Sequence, residues 1–439
     1  MPKKVLIVSP RFPPVTAPDH QRVRMMLPYL PHHGWTATIL AVDPRDVEAP
    51  LEANLEASLP SDATIHRVRA IPQWLTRRVR FGSLAIRAYP SLWRHGLRLL
   101  RRERFDLVFF STTEFGVLPI ALSWQRRTEG HVKFVVDLQD PWVSDYYERT
   151  GKNPPGGAFK HGLTQEFARR NEGPVLRRAA HIISVSPTYV DTLRTRYPDI
   201  PQSRFSVIPF GGSRSDFELL LRLRVRQRQF DPADGKLHWL YAGTAPPGIR
   251  HAFVSFLRAL QRAFDAGIVA AENVRVHFIG TDYAAGAAAS ERVMPFAREL
   301  GMDRIVSETP ARMPYFETLA CLLDASALLV FGWDDPGYTA SKLYPYILAR
   351  KPLLSVFHER SSANDVLRAT QAGTLVTFGS APDIDATTDA IFERWFASGA
   401  FHATPRTDWQ AFEPFTAEAM TRRVVDVFNH AAGSASGDG

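Results

Sequence analysis

Short apolar runs recur along the chain, each followed by a turn and then by a longer stretch with helical spacing. In the first half these are KVLIVS, TATILAV, DLVFFS, KFVVDL, HIISVS and FSVIPF, and in the second LHWLYAG, VRVHFIG, RIVSET, ALLVFG, PLLSVF and GTLVTF. Runs that are continuously apolar, rather than alternating, belong to strands covered on both faces, and the helical stretches between them supply the covering layers. The pattern predicts an α/β protein built from two successive doubly wound parallel sheets. At 439 residues, 45% of them apolar, the chain is long enough for two large cores. The pattern breaks at IPFGGSRSDF, where glycines and serine precede a new charged segment. Domains are therefore expected at 1–212 and 213–415, with a hinge between them. A helix at about 416–432 is expected to pack back on the first domain, and the low-complexity tail 433–439 is expected to be disordered.

Charge changes this picture in one region. The formal net charge is +8, and between His66 and Arg104 eleven arginines face a single glutamate, Glu103, with Trp74, Phe81, Tyr89 and Trp93 interleaved. Such a cationic, aromatic face suits an anionic membrane surface, where each basic residue contributes ~1 kcal/mol. A solvated helix pair is the plainer alternative, and nucleic acid is not expected as a partner. A second basic run, RLRVRQR at 222–228, reads as a solvated strand or linker. The single cysteine, Cys321, lies in an apolar run, which excludes a disulfide framework and a cysteine-based metal site. The chain opens on a strand-like segment, and no run reaches the ~18 uncharged residues of a membrane span. A cytoplasmic protein, peripheral at the inner face of the cell membrane, is the expectation.

Open parallel sheets bind ligands outside the carboxyl ends of their strands, so the loops there hold the candidate chemistry. LHWLYAG leads through TAPPG into a helix whose first turn carries Arg250. Arginine beside free backbone amides makes an anion site; alternatively Gly243, Pro246, Pro247 and Gly248 only shape a turn and Arg250 is solvated. After ALLVFGWDD comes Thr339-Ala340-Ser341-Lys342 and a second helix start, where amides, hydroxyls and an ammonium converge. Taken alone this is an N-cap with a surface lysine. Two anion-friendly starts in one domain point to a nucleotide diphosphate.

The stretch ARMPYFETLACLLDASALLVFGWDDPGYTASKLYPYILARKPLL resembles the donor-binding half of two-domain GT-B glycosyltransferases of the retaining family 4 type, where SKLYEYLAAGKP is usual. SPRFPPVTAPDHQRVRMM, VVDLQDPW and ISVSPTYVDTLRTRYPDIPQSRFSVIPFGG resemble the opening loop and helix, the Asp-x-x-Asp-Pro-Trp segment and the lead into the linker of the same family. The resemblance implies two Rossmann-like domains facing across a cleft. It further implies a nucleotide-diphosphate sugar on the second domain, a glycan or lipid-linked acceptor on the first, and no metal or other cofactor. Carried over by position, the donor residues are Gly243, Thr244, Arg250, Arg312, Met313, Thr339, Ala340, Ser341 and Lys342. Arg22, Asp137 and Trp142 fall on the acceptor side. Asp140 and Asp19, with His20 behind them, are the candidates for positioning the acceptor hydroxyl. Asp140 before Pro141 also suits a plain turn, Asp19 a helix cap, and His20 a solvated side chain.

The departures are specific. The usual Arg/Lys pair keeps Arg250, while its partner falls on Thr244. The glutamates of the Glu-x7-Glu pair fall on Gly337 and Pro345, so the carboxylate that grips the ribose hydroxyls is missing. Its loss removes a charge-assisted hydrogen bond worth ~1.5 to 3 kcal/mol. The first-domain glycine pair is replaced by Ala17-Pro18-Asp19, and the linker asparagine by Phe210. A non-catalytic subunit, or an epimerase or phosphorylase on the same frame, are the rival readings.

Overall fold

The structure, a computed structural model, describes residues 2–77, 82–144, 157–282, 289–334 and 340–433. The chain divides into two units, Met1–Phe210 together with Ala417–Gly439, and Gly211–Thr416.

Unit 1 is a seven-stranded parallel sheet. Its strands are β1 (Lys3–Val8), β2 (Trp35–Val42), β3 (Thr64–Val68), β4 (Leu107–Ser111), β5 (Phe134–Leu138), β6 (His181–Ser184) and β7 (Phe205–Val207), in the order β3-β2-β1-β4-β5-β6-β7. Every residue of β4, β5 and β6 is buried, as strands covered on both faces require. The outermost β3 buries only its last residue. Its sequence, TIHRV, is too polar to register as an apolar run, and it is the one strand that the pattern misses.

The helix Ala417–Gly433 returns to this unit. Its Met420, Val424 and Phe428 are buried in one cluster with Val5, Ile7, Trp35 and Phe109. The Phe428 ring stands edge-on to Trp35 at 5.3 Å and to Phe109 at 5.0 Å, burial worth about 2 to 3 kcal/mol for the phenylalanine alone. The Trp35 indole N–H donates to Asn429 at 3.2 Å.

Unit 2 is a six-stranded parallel sheet in the order β10-β9-β8-β11-β12-β13. The strands are β8 (Leu237–Ala242), β9 (Val274–Ile279), β10 (Val306–Thr309), β11 (Ala327–Phe331), β12 (Leu353–His358) and β13 (Thr374–Phe378). β11 and β12 are buried throughout. The basic run at 222–228 forms no strand: the helix Arg214–Leu223 ends at Arg224, whose φ of 52° is left-handed, and a loop follows.

Both sheets repeat one topology, in which the strand order reverses next to the first strand of the unit. The reversal falls between β1 and β4 in unit 1 and between β8 and β11 in unit 2. Neighbouring loops diverge at such a point and leave a crevice at the carboxyl ends of the strands.

Candidate functional site

In unit 2 the structure brings Gly243 and Lys342 together at the β8–β11 crevice. Lys342 precedes the helix Leu343–Leu348, which is six residues long, and its side chain runs to the end of β8. The amine lies 2.6 Å from the Tyr241 hydroxyl and 4.2 Å from the centre of that ring. Tyr241 is fully buried, stacks on Phe331 of β11 at 5.6 Å, and donates its hydroxyl to the Thr244 carbonyl at 2.7 Å. Gly243 has a φ of 132°, and a Cβ there would meet the Lys342 amine at 2.9 Å, so glycine is required both by the backbone and by the lysine packed on it. Tyr346, one turn on, donates its hydroxyl to the Ala242 carbonyl at 3.0 Å and accepts the Ala242 N–H at 2.6 Å, which pins the strand end. Burial pushes the Lys342 amine down to about 7. Pro345 is the third residue of its helix, where the missing N–H would have no intrahelical partner.

The remaining donor-side residues have these surroundings. Arg250 begins the helix Arg250–Asp265 and lays its guanidinium over the Phe296 ring at 5.1 Å. Gly248 admits no side chain, because a Cβ there would meet the Asp334 carboxylate at 2.2 Å. The turn read as an anion site thus carries a carboxylate against it. Ala340 is buried and Ser341 exposed, while Arg312 and Met313 are half-buried in the loop after β10. Thr339 and Gly337 lie outside the described residues.

In unit 1, Asp19, Asp140 and Glu114 gather at the ends of β1, β5 and β4. Asp19 is fully buried. Its Oδ2 accepts the Thr112 hydroxyl at 3.1 Å and lies 3.8 Å from the Arg11 guanidinium. Arg11 also pairs with Glu114, whose other oxygen accepts the Ala85 N–H at 3.1 Å. Desolvation raises the Glu114 carboxyl, Arg11 opposes that rise and Asp19 adds to it. Asp140 is exposed, yet protein crowds its carboxyl; desolvation first, and then the field of Asp19, push it up to about 6.

Several expectations for this unit need correction. Arg22 and Asp137, assigned to the acceptor side, are fully buried against each other at 2.8 Å and offer no surface to a ligand. The Arg22 guanidinium also donates to the Ile208 carbonyl at 2.7 Å and lies 4.9 Å over the Phe210 ring, which gives a packing role to the residue in the place of the linker asparagine. Asp137 further accepts from Ser111 at 2.8 Å and from Gln139 at 3.0 Å. Trp142 is 6% exposed and packs its ring 6.0 Å from Phe115. His20 is buried and donates through Nε2 to the Val15 carbonyl at 2.9 Å, so it is neither solvated nor placed for catalysis. Asp19 caps no helix and has no accessible surface; it acts on Asp140 through its field.

Tyr241 and Glu114 are the residues that sequence reasoning missed. Tyr241 lies inside an apolar strand, where a tyrosine reads as core, and only the fold reveals its hydroxyl beneath a lysine a hundred residues away in sequence.

The basic segment is partly spent on structure. Arg67 pairs with Glu56, Arg69 with Asp46 and the buried Arg87 with Glu48. Arg94, Arg98, Arg101, Arg102 and Arg104 are exposed and form no ion pair among the described residues. Arg78, Arg80 and Phe81 lie outside the described residues. Ile71, Trp74, Leu75 and Ile86 are 40%, 71%, 49% and 48% exposed. No described helix is long and apolar enough to cross a membrane, and no group of three described histidine, cysteine or acidic side chains is placed to hold a metal ion.

Two doubly wound parallel units of seven and six strands, each reversing beside its first strand, are the architecture of GT-B glycosyltransferase structures. Residues 20–211, most of unit 1, match the family model described as a glycosyl transferase 4-like domain. Among solved structures, a UDP-forming α,α-trehalose-phosphate synthase from Burkholderia xenovorans is similar at 11% identity over 98% of this chain and 100% of that one, with a TM-score of 0.60. HepE of Anabaena in complex with UDP is similar at 12% identity over 97% and 99%, with a TM-score of 0.56. A UDP-GlcNAc 2-epimerase from Methanocaldococcus jannaschii shares the frame at 11% identity over 98% and 99%, with a TM-score of 0.53. No curated protein matches the chain in sequence.

Proposed function

We propose that the protein is a glycosyltransferase that moves a sugar from a nucleotide-diphosphate donor held by unit 2 to a glycan or lipid-linked acceptor held by unit 1. The observation that carries this reading is the convergence of Gly243, Tyr241 and Lys342 at the β8–β11 crevice: a cation with no carboxylate partner among the described residues, set where the topology directs a ligand. The glycosyl transferase 4-like match over 20–211 supports it, and the UDP named for two similar structures makes UDP the first nucleotide to test.

In the reaction proposed, the bond from the anomeric carbon to the diphosphate breaks and the acceptor oxygen bonds to that carbon. With retention of configuration, the acceptor proton passes to the departing diphosphate on the same face. Lys342 stabilises the charge that builds on that phosphate, and Asp140 positions the acceptor hydroxyl. No metal takes part. With Pro345 in the place of the ribose-gripping carboxylate, donor affinity or identity differs from that of the usual enzyme.

We place the activity in bacterial surface polysaccharide or lipopolysaccharide synthesis at the inner face of the cell membrane, with the exposed arginines and Trp74 against anionic lipid. Incubation with a panel of nucleotide sugars and lipid-linked acceptors, read by release of free nucleotide and by the anomeric configuration of the product, tests it. Absence of nucleotide binding and of turnover across the panel would favour a non-catalytic subunit, to which the missing glutamates point. A product formed without acceptor would favour the epimerase.

A further inference from the structure

Lys342 occupies an unusual position for a lysine. Its amine is half-buried at the end of a central strand and donates to the Tyr241 hydroxyl at 2.6 Å. Among the described residues no carboxylate is paired with the amine; the Asp334 carboxylate lies against Gly248, and the Arg250 guanidinium lies over the Phe296 ring. The other phenol at this strand end, Tyr346, is bonded to both polar atoms of the Ala242 backbone. The aromatic floor of Tyr241, Phe331 and Phe278 offers no counter-charge. An ammonium withdrawn from water without an anion is unfavourable, and the amine responds by releasing its proton more readily. A bound phosphate supplies the missing anion and reverses that preference.

We propose that unit 2 binds the diphosphate of its ligand with uptake of one proton at Lys342, and that Tyr241 is the positioning residue that holds the amine at the β8–β11 crevice. The step balances as neutral amine plus a proton from solvent giving an ammonium paired with the phosphate oxygens. The Tyr241 hydroxyl is fixed by its own donation to the Thr244 carbonyl, so its lone pairs face the amine and set its direction. This rests on the donor-site reading above but concerns how that site is regulated: affinity for the nucleotide weakens as pH rises through and above neutrality.

Calorimetry of UDP and of inorganic pyrophosphate in buffers of small and large ionisation enthalpy counts the protons. About one proton per ligand is expected at pH 8. The uptake should vanish in Lys342→Met, and Tyr241→Phe should weaken binding about 10-fold without lowering the thermal midpoint. Competitive acylation of the ligand-free protein across pH reads the amine directly: Lys342 should react with a midpoint near neutrality and be protected by pyrophosphate. Ligand binding without proton uptake, or a Lys342 midpoint in that ordinary range, overturns the proposal and leaves the donor-site reading standing. Failure of either ligand to bind or protect Lys342 overturns both.

Discussion

The two units share one strand order and differ in the sign of the charge at its reversal point. Between β1 and β4 the loops converge on Asp19, Glu114 and Asp140 with Arg11 among them, and between β8 and β11 they converge on Lys342 over a buried tyrosine. The framework is the same, so the difference lies in a few loop side chains, and it assigns different chemistry to each half. An acidic crevice suits a neutral, hydroxyl-bearing acceptor whose proton is to be held or moved. An ammonium with no ion-pair partner among the described residues suits a phosphate. In both crevices desolvation disfavours the charged form of one group, Asp140 upward to about 6 and Lys342 downward to about 7, a pattern that marks candidate functional groups.

That comparison breaks most visibly where unit 1 uses charge for structure. Replacing Arg22 by methionine leaves Asp137 buried and unpaired, and a loss of about 3 to 5 kcal/mol is expected from denaturant unfolding of unit 1. A loss near zero would mean that the pair is not structural and would return it to the acceptor side. Lys342→Met should do the opposite. Turnover should fall by about 100- to 1000-fold, ~3 to 4 kcal/mol, while stability is unchanged or improved. The sign follows from linkage: a lysine whose folded value is depressed binds fewer protons folded than unfolded, so stability falls as pH falls from the ordinary lysine range through about 7, and methionine removes that penalty. A thermal midpoint lowered by several degrees would make Lys342 a structural residue.

How far the sequence led differs between the levels of structure. Twelve of the thirteen strands were legible as continuous apolar runs, because strands covered on both faces exclude polar residues; TIHRV, at the sheet edge and buried only at its last residue, was not. The site was less legible. Position along the chain placed Asp140 and Lys342 after the right strands, but could not show that Arg22 points inward to Asp137, or that Lys342 turns from its own short helix towards β8. A buried arginine and an exposed one look alike in sequence. Only the partner decides, and here the partners lie far apart along the chain.

The acidic crevice is tested by Asp140→Asn, expected to lower turnover about 100-fold. The wild-type rate should fall as pH drops through about 6, because the carboxylate that orients the hydroxyl is then protonated, and this acid limb should be absent in the variant. The basic limb, from Lys342, should remain in it. Together they make a bell, and each variant should remove only its own side. Retention of the acid limb in Asp140→Asn would transfer the role to another carboxyl, with the half-buried Glu114 next to consider.

The smallest effects lie outside the crevices, on the exposed arginines of the helix Leu84–Arg102. Exchanging Arg94, Arg98 and Arg101 for glutamine should weaken binding to vesicles containing anionic lipid by ~1 kcal/mol each. The loss should shrink as salt is raised, because exposed charges are screened beyond about 10 Å at 0.1 M. Arg87, on the same helix, is buried with Glu48 and should instead affect stability when exchanged, with little change in the salt dependence of vesicle binding. Nucleotide affinity at Lys342 should be indifferent to all four. A cationic face that acts only as a solvated surface would show no vesicle binding at any salt concentration, and the three exposed exchanges would then be silent in every assay.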